Sequence, residues 1–146
     1  MLTESEFKEA CSDALPVLRP LVQEQLLQNF DAEGRPQRWP QLAASTVRRR
    51  GSAHPILVET GRLRQAVASS QTYLQKNMLI VKISGPRAEV AHWHQFGTRR
   101  MPARPPLQLT QEQIGEQALS LGEAVCSILE RKGYAAKVSH LDWRIG

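Results

Sequence analysis

The sequence is poor in the residues that stabilise secreted and membrane proteins. Two cysteines, Cys11 and Cys126, are too few for a disulfide framework, and neither has metal-ligating neighbours at suitable spacing. We therefore expect two reduced, buried thiols. No apolar run approaches eighteen residues and no signal-peptide pattern is visible, so we expect a cytoplasmic protein without membrane contact.

The patterns of common catalytic sites are also missing. No serine lies in a Gly-x-Ser-x-Gly elbow, neither cysteine has a reactive setting, and no glycine-rich phosphate loop is present. His92 and His94 are two residues apart, and on a helix such a pair diverges by about 200°. We therefore predict a protein that is not an enzyme and that needs neither metal nor cofactor.

Aromatic residues make up only 5% of the chain, so each one present matters for burial. We expect Trp39, Trp93 and Phe96 to supply much of the core. Trp39 is the only large apolar residue in a loop, residues 31–40, that is rich in glycine, proline and charge. Such a tryptophan is expected to fix its loop onto the core, with ligand stacking as the alternative.

Charge is distributed unevenly along the chain. Residues 1–33 hold seven acids and two bases, whereas residues 35–64 hold seven arginines and a single acid. Residues 87–104 add four arginines against one acid, and residues 111–130 hold four glutamates and no base. This pattern predicts surfaces of opposite sign, which suit head-to-tail contact between copies or contact with a polyanion.

Apolar periodicity predicts helices at both ends of a single domain, residues 1–133. Thr3 and Glu6 form a capping-box pattern, and an apolar stripe then continues to Asn29 as one kinked helix or two consecutive helices. Short helices are predicted over residues 42–50 and after Thr60, and a long one over residues 110–132. Residues 134–146 are a tail, either disordered or an edge strand for a neighbour.

Alternating residues predict strands over residues 72–74 and 78–83. Residues 56–58 form a further buried extended segment, and residues 107–109 a last strand. We therefore predict an α+β fold, with a small, mainly antiparallel sheet of three or four strands. The N-terminal helices and the long C-terminal helix would pack against that sheet.

The most distinctive segment is residues 90–109, VAHWHQFGTRRMPARPPLQL. Its first seven residues have the apolar spacing of a short helix, and Gly97 suits the end of that helix. Three arginines and three prolines follow, and proline fixes φ and lacks an N–H. We predict an extended, cationic, exposed arm that docks on a partner.

A longer pattern runs through and before this segment. It is formed by Ala91, His94, Gln95, Phe96, Gly97, Pro102, Ala103, Arg104, Pro105 and Leu107, and upstream by Trp39, Leu42, Thr46, Arg49, Ile56, Leu57, Thr60, Gly61, Leu63 and Arg64. These residues resemble the signature of the phage virion morphogenesis family, the tail-completion or neck proteins of Mu-like phages and prophages. The resemblance spans about residues 15–132. Val90 and Pro106 depart from it, since the family usually has Tyr and Phe there.

The resemblance implies a structural virion assembly protein that completes the tail or forms the neck for head-tail joining, as a homo-oligomeric ring. Its partners would be copies of itself and the phage tail and head-connector proteins. It would be found in the host cytoplasm during assembly and then in the virion. The alternative is a sequence-independent nucleic-acid-binding protein that uses the basic middle of the chain.

Three groups of candidate residues follow, and none is catalytic. The first is a docking arm whose arginines would pair with Glu112 or Glu116 of the next subunit, or with phosphate: Thr98, Arg99, Arg100, Pro102, Arg104 and Pro105. The second is the core of the motif: Trp39, Thr60, Gly61, Leu63, His94, Gln95, Phe96 and Gly97. The third is a basic set that would line a DNA passage or an interface: Arg48, Arg49, Arg50, Arg62 and Arg64.

Overall fold

The computed structural model describes residues 1–76 and 78–136, which contain five helices and two strands. The elements are α1 (Glu4–Asp31), α2 (Ala44–Arg50), α3 (Arg62–Ala68), β1 (Gln71–Gln75), β2 (Met78–Lys82), α4 (Ala88–Phe96) and α5 (Gln111–Arg131). They belong to two compact units. The first unit comprises Met1–Val22, Thr72–Val81 and the chain from Gln111, and the second comprises Gln23–Gln71 and Lys82–Thr110. Residues 137–146 of the predicted tail lie outside the described residues.

The first unit begins with the predicted capping box. The backbone N–H of Thr3 donates to Glu6 Oε2 at 2.8 Å, and the N–H of Glu6 donates to Thr3 Oγ1 at 3.2 Å. The resulting helix α1 is continuous through Pro16 and Pro20, so the alternative of two consecutive helices is not observed. The Tyr134 hydroxyl donates to Glu6 Oε1 at 3.0 Å.

Small side chains build the core of the first unit. Ala10 and Ala14 of α1 are fully buried, together with Val125 and Leu129 of α5. Alanines on one helix let a second helix approach closely, so the aliphatic side chains of α5 fill the space between them. The apolar stripe predicted for the long C-terminal helix is therefore confirmed in its second half, whereas the buried residues of the first half are Gln113 and Gln117.

The predicted sheet of three or four strands is wrong, because β1 and β2 form a two-stranded antiparallel sheet in the described residues. At residues 56–58, Leu57 has a φ of +60°, which an extended strand does not allow, and the N–H of Ile56 donates to Glu33 Oε2 at 2.8 Å. A side chain, rather than a neighbouring strand, satisfies the backbone there.

Residues 107–109 fail to form a strand for the same kind of reason. Pro106 has no N–H, and the N–H of Leu107 donates to Gln95 Oε1 at 3.0 Å. The buried amide of Asn29 donates to the carbonyl oxygens of Pro106 and Gln108, at 3.1 and 2.7 Å. With these groups already bonded, the segment has few left for a strand ladder.

The second unit has an aromatic core. Phe30 and Trp39 are both at least 95% buried, and their rings meet edge to face with centroids 5.5 Å apart. Gly34 makes the loop between them possible: its φ is +112°, and a Cβ there would lie 2.8 Å from the Trp39 ring. The prediction that Trp39 fixes its loop onto the core is confirmed.

Candidate functional site

The exposed end of the second unit is a tight turn that follows helix α4. The N–H of Thr98 donates to the carbonyl oxygen of Met101 at 2.9 Å, and the N–H of Arg100 donates to Thr98 Oγ1 at 3.2 Å. We call Thr98–Met101 the arginine turn, because it exposes the side chains of Arg99 and Arg100.

Arg104 does not continue this exposed surface. Its side chain is 95% buried, and it donates from Nε to the carbonyl oxygen of Pro40 at 2.7 Å and from Nη2 to that of Gln41 at 2.6 Å. Its backbone N–H donates to the carbonyl oxygen of His94 at 2.7 Å. The expected exposure of Arg104 on the arm is therefore corrected, since its side chain is buried and bonded to two carbonyl oxygens within the protein.

The rest of the expected arm is also attached to the second unit. Trp39 Nε1 donates to the carbonyl oxygen of Pro105 at 3.2 Å, and Pro106 is fully buried, whereas Pro102 is exposed. The arm thus has two parts, an exposed arginine turn and a buried segment from Arg104 onward.

His94 and Gln95 connect helix α4 to that buried segment. Gln95 Oε1 accepts the N–H of Leu107, and the backbone carbonyl of His94 accepts the N–H of Arg104, so both residues order the chain after the turn. The pKa of His94 is lowered by burial of the ring and by the nearby Arg104 charge. Its Nδ1 atom is buried without a hydrogen-bond partner among the described residues.

Two aromatic residues of α4 are exposed, contrary to the expectation that they supply the core. Trp93 is 43% exposed and Phe96 is 70% exposed, and the one fully buried residue of this helix is Ala91. Residues three apart lie on the same side of a helix, so Trp93 and Phe96 are both exposed on one side of α4, where the Phe96 ring lies 4.8 Å from the ring of His92. This side of α4 directly precedes the arginine turn.

A groove with a volume of about 520 Å³ lies in the second unit, behind the arginine turn. We call it the arginine groove, because its lining includes one acid, Glu59, and six arginines: Arg49, Arg50, Arg62, Arg87, Arg100 and Arg104. Its apolar walls are formed by Leu42, Leu57, Leu63, Val90 and Met101. The sequence prediction missed Arg87 and the groove itself, because the lining comes from separate stretches of the chain.

The arginines of the predicted basic set differ in whether they have hydrogen-bond or ion-pair partners. Arg49 donates to both carboxylate oxygens of Glu59, at 2.7 and 3.0 Å, and Arg50 donates to the carbonyl oxygen of Pro55 at 2.8 Å. Arg64 lies 3.4 Å from Asp31. Arg48 and Arg62 are exposed and form no ion pair within residues 1–76 and 78–136.

The motif residues at the start of α3 are placed differently from the prediction. The helix begins at Arg62, with Gly61 preceding it at a φ of +76°, so Thr60 lies one residue further out than expected. Thr60 Oγ1 accepts the N–H of Arg62 at 3.4 Å, a long hydrogen bond. Leu63 is buried, as predicted.

The two compact units differ in charge. The second unit holds twelve arginines and lysines against five acids, whereas the described part of the first unit holds five bases against eight acids. The uneven pattern along the chain therefore becomes a division between units.

Within the described residues, no cluster of three or more histidine, cysteine or acidic side chains is arranged to hold a metal ion. Both cysteines are free and half-buried, and burial raises the pKa of the Cys11 thiol. No helix in this part of the chain has the length and apolar character needed to cross a bilayer. Comparisons with protein-family models, with curated proteins and with solved structures found no match to this chain.

Proposed function

We propose that this chain is a structural assembly protein of a phage or prophage virion, which completes the tail or forms the neck for head-tail joining as a ring of identical subunits. The observation that carries the proposal is the arginine turn beside the exposed rings of Trp93 and Phe96. Aromatic residues and arginine are enriched at protein interfaces. Two exposed apolar rings are unfavourable in water and are stabilised when a partner covers them, whereas a charged side chain is already well solvated.

This surface is held at both ends by close contacts within the second unit. Gly97 has a φ of +74°, and three backbone atoms of residues 101–103 lie 2.9–3.3 Å from the position of a Cβ. Behind the turn, Arg104 is tied to Pro40 and Gln41. A docking surface held in one conformation loses little entropy when it binds, which favours assembly.

The charge division supports contacts between identical subunits. A basic unit on one copy can associate with an acidic unit on the next, and such a contact joins two different surfaces. Heterologous contacts of this kind close into a ring when the rotation between copies allows it. The resemblance of residues 15–132 to the virion morphogenesis family supplies the virion context of the proposal.

The alternative, nucleic-acid binding without sequence preference, rests on the twelve basic residues of the second unit. The exposed rings of α4 and the apolar walls of the arginine groove favour a protein partner instead, because phosphate contacts need neither. Affinity for a short duplex, measured against salt concentration, decides between them. Phosphate-driven binding would fall steeply as salt rises.

The experiment is electron microscopy of lysates from a host whose phage or prophage lacks this protein, complemented with the wild type or with variants. We expect filled heads and separate, or abnormally long, tails without the protein, and joined particles with the wild type. Complementation with Trp93→Ser/Phe96→Ser, or with Arg99→Ala/Arg100→Ala, should leave heads and tails separate.

The matched control is Arg38→Ala/Arg48→Ala, which removes the same charge from exposed positions of the second unit outside the arginine turn. It should complement as well as the wild type does. Intact particles in the absence of the protein would refute the proposed function. Joined particles with both docking variants would show instead that this surface is not the one used.

A further inference from the structure

We propose that the arginine groove of one copy receives carboxylates from the first unit of a second copy, at the surface where Asp13 of α1 and Glu123 of α5 lie. This inference rests on the proposed function, because it assigns the contact through which identical subunits associate. It concerns a different surface from the exposed rings of Trp93 and Phe96, although Arg100 belongs to both regions.

The groove has positive charge that its own residues do not neutralise. Glu59 is the only acid among the described residues that line it, and both oxygens of Glu59 are bonded to Arg49. Arg62, Arg87 and Arg100 form no ion pair with any described residue. An anion entering the groove would find three guanidinium groups available, and each can bind a carboxylate through two parallel hydrogen bonds.

The buried guanidinium of Arg104 adds to this need for an anion. Its hydrogen-bond partners are the neutral carbonyl oxygens of Pro40 and Gln41, so its hydrogen bonds leave its charge uncompensated. Burial lowers its pKa, which reflects the cost of keeping a charge out of water. A carboxylate in the groove would offset that cost by supplying the opposite charge nearby.

The walls of the groove indicate a protein ligand rather than a phosphodiester chain. The arginines share the lining of the groove with Leu42, Leu57, Leu63, Val90 and Met101. Binding is favoured when apolar groups of a ligand cover the aliphatic walls and exclude water from both. A sugar-phosphate backbone has few apolar groups that could do so. A segment that combines carboxylates with apolar side chains matches both features.

The first unit presents such a surface. Asp13, Val17 and Glu123 line one shallow depression with a volume of about 380 Å³, together with Ile128 and Arg131. Asp13 and Glu123 are exposed, and 59% of Val17 is exposed although it is a large apolar residue. Glu9, also exposed, precedes Asp13 by one helical turn and so extends the acidic surface along α1.

The test is sedimentation velocity over a concentration series, at low salt so that charge contacts are weakly screened. We expect the wild type to self-associate, and Arg62→Glu/Arg87→Glu, which leaves the arginine turn unchanged, to raise its dissociation constant by about tenfold or more. The control Arg38→Glu/Arg48→Glu makes the same change in net charge at residues outside the groove. It should change the dissociation constant by less than about threefold. None of these four arginines is buried, and circular dichroism verifies that each variant folds.

A charge swap makes the assignment specific. Asp13→Arg/Glu123→Arg should weaken self-association as strongly as the groove variant does. Combining both sets of substitutions in one chain should restore association, because only the new acids of one copy can then pair with the new arginines of the next. Restoration only in the combined variant identifies the two surfaces as partners.

Three results would overturn the inference. Groove variants that associate like the wild type would show that another surface holds the copies together, while the assembly proposal would stand if complementation still required the protein. A wild type that stays monomeric at every concentration would exclude self-association through the groove. Groove variants that lose affinity for a fluorescent DNA duplex, without any change in self-association, would assign the groove to nucleic acid.

Discussion

Arg104 Nη2 donates a hydrogen bond to the carbonyl oxygen of Gln41 at 2.6 Å, across 63 residues of sequence. The same guanidinium group bonds the adjacent carbonyl of Pro40, and the Trp39 ring donates to Pro105 at 3.2 Å. Side chains of two distant segments thus satisfy each other's backbone in place of a sheet. These bonds hold the arginine turn at the surface.

Replacing Arg104 should therefore affect stability more than replacing an exposed arginine does. We expect Arg104→Ala to lower the free energy of unfolding by about 3 kcal/mol, because it removes two charge-assisted hydrogen bonds and leaves two carbonyl oxygens unpaired. Arg104→Lys should recover only part of this loss, since an ammonium cannot reproduce the planar fork. Urea unfolding measures both, with Arg99→Ala as the exposed control, expected within about 0.5 kcal/mol of wild type. An Arg104→Ala variant as stable as that control would contradict this account.

The contribution of a single buried donor to stability can be tested at Asn29. It is fully buried, and its Nδ2 donates to two carbonyl oxygens, those of Pro106 and Gln108. Asn29→Asp keeps the shape but replaces the donor with a carboxylate oxygen, which would be repelled by both carbonyls. We expect a loss of more than about 3 kcal/mol in unfolding free energy at neutral pH. Because protonation restores a donor, the loss should shrink in acid, and a loss independent of pH would rule out this explanation.

The backbone at Gly97 should be sensitive to the smallest side chain. Gly97→Ala introduces a Cβ 2.9 Å from the backbone nitrogen of Ala103 at a φ of +74°. Gly51 has a φ of +83° and a ψ of 2°, in the left-handed helical region, with no atom within 4 Å of a Cβ, so Gly51→Ala is the control for ordinary left-handed strain. Gly97 has a ψ of 174°, a conformation that is essentially restricted to glycine, so its variant adds backbone strain to the steric contact. We expect a loss of about 1 kcal/mol for Gly51→Ala and about 2–4 kcal/mol for Gly97→Ala. Equal thermal unfolding midpoints for the two variants would show that the steric contact has no effect.

His94 should make stability depend on pH in the weakly acidic range. Its folded pKa lies below the ordinary value of 6.5, first because burial disfavours the charged ring and second because Arg104 repels it. The unfolded chain then binds the proton at higher pH than the folded chain, so stability is complete above pH 6.5 and falls as pH drops through the folded pKa.

The measurement is the unfolding free energy at about pH 7.5 and about pH 5.5, for wild type and for His94→Gln, which stays uncharged. We expect wild type to lose more stability between these values than the variant does. The other histidines are common to both proteins and cancel in the difference. The carboxyl groups of Glu33 and Glu59, whose pKa values are lowered from 4.5, act only at lower pH. Identical slopes for the two proteins would show that His94 does not titrate in this way.

Local patterns predicted the elements whose stability depends on neighbours in sequence. Three such patterns are the capping box at Thr3 and Glu6, the apolar stripe of α5, and the alternating side chains predicted for the strand that became β2. Each depends on contacts within a few residues, and all three elements formed. Composition likewise indicated the role of Trp39, because a single large apolar side chain in a polar loop is usually buried against the core.

The sequence pattern did not predict how backbone groups without a strand partner would be satisfied. Residues 56–58 and 107–109 have the apolar character of strands, yet Glu33, Gln95 and Asn29 bond their backbones through side chains. These partners lie 12 to 79 residues away in sequence. Hydropathy carries no information about such bonds, so the sheet was overestimated.

The sequence by itself determined the helices and where positive and negative charge accumulate, and the exposed, cationic arm that it predicted over residues 98–106 is exposed at Thr98, Arg99, Arg100 and Pro102. Only the tertiary structure decided that Arg104 is buried, that Trp93 and Phe96 are exposed, and that six arginines line one groove. The physical reason is that periodicity and composition act over a few residues. Burial of a guanidinium group, in contrast, depends on whether the fold brings carbonyl oxygens to its donors, and here Pro40 and Gln41 do so.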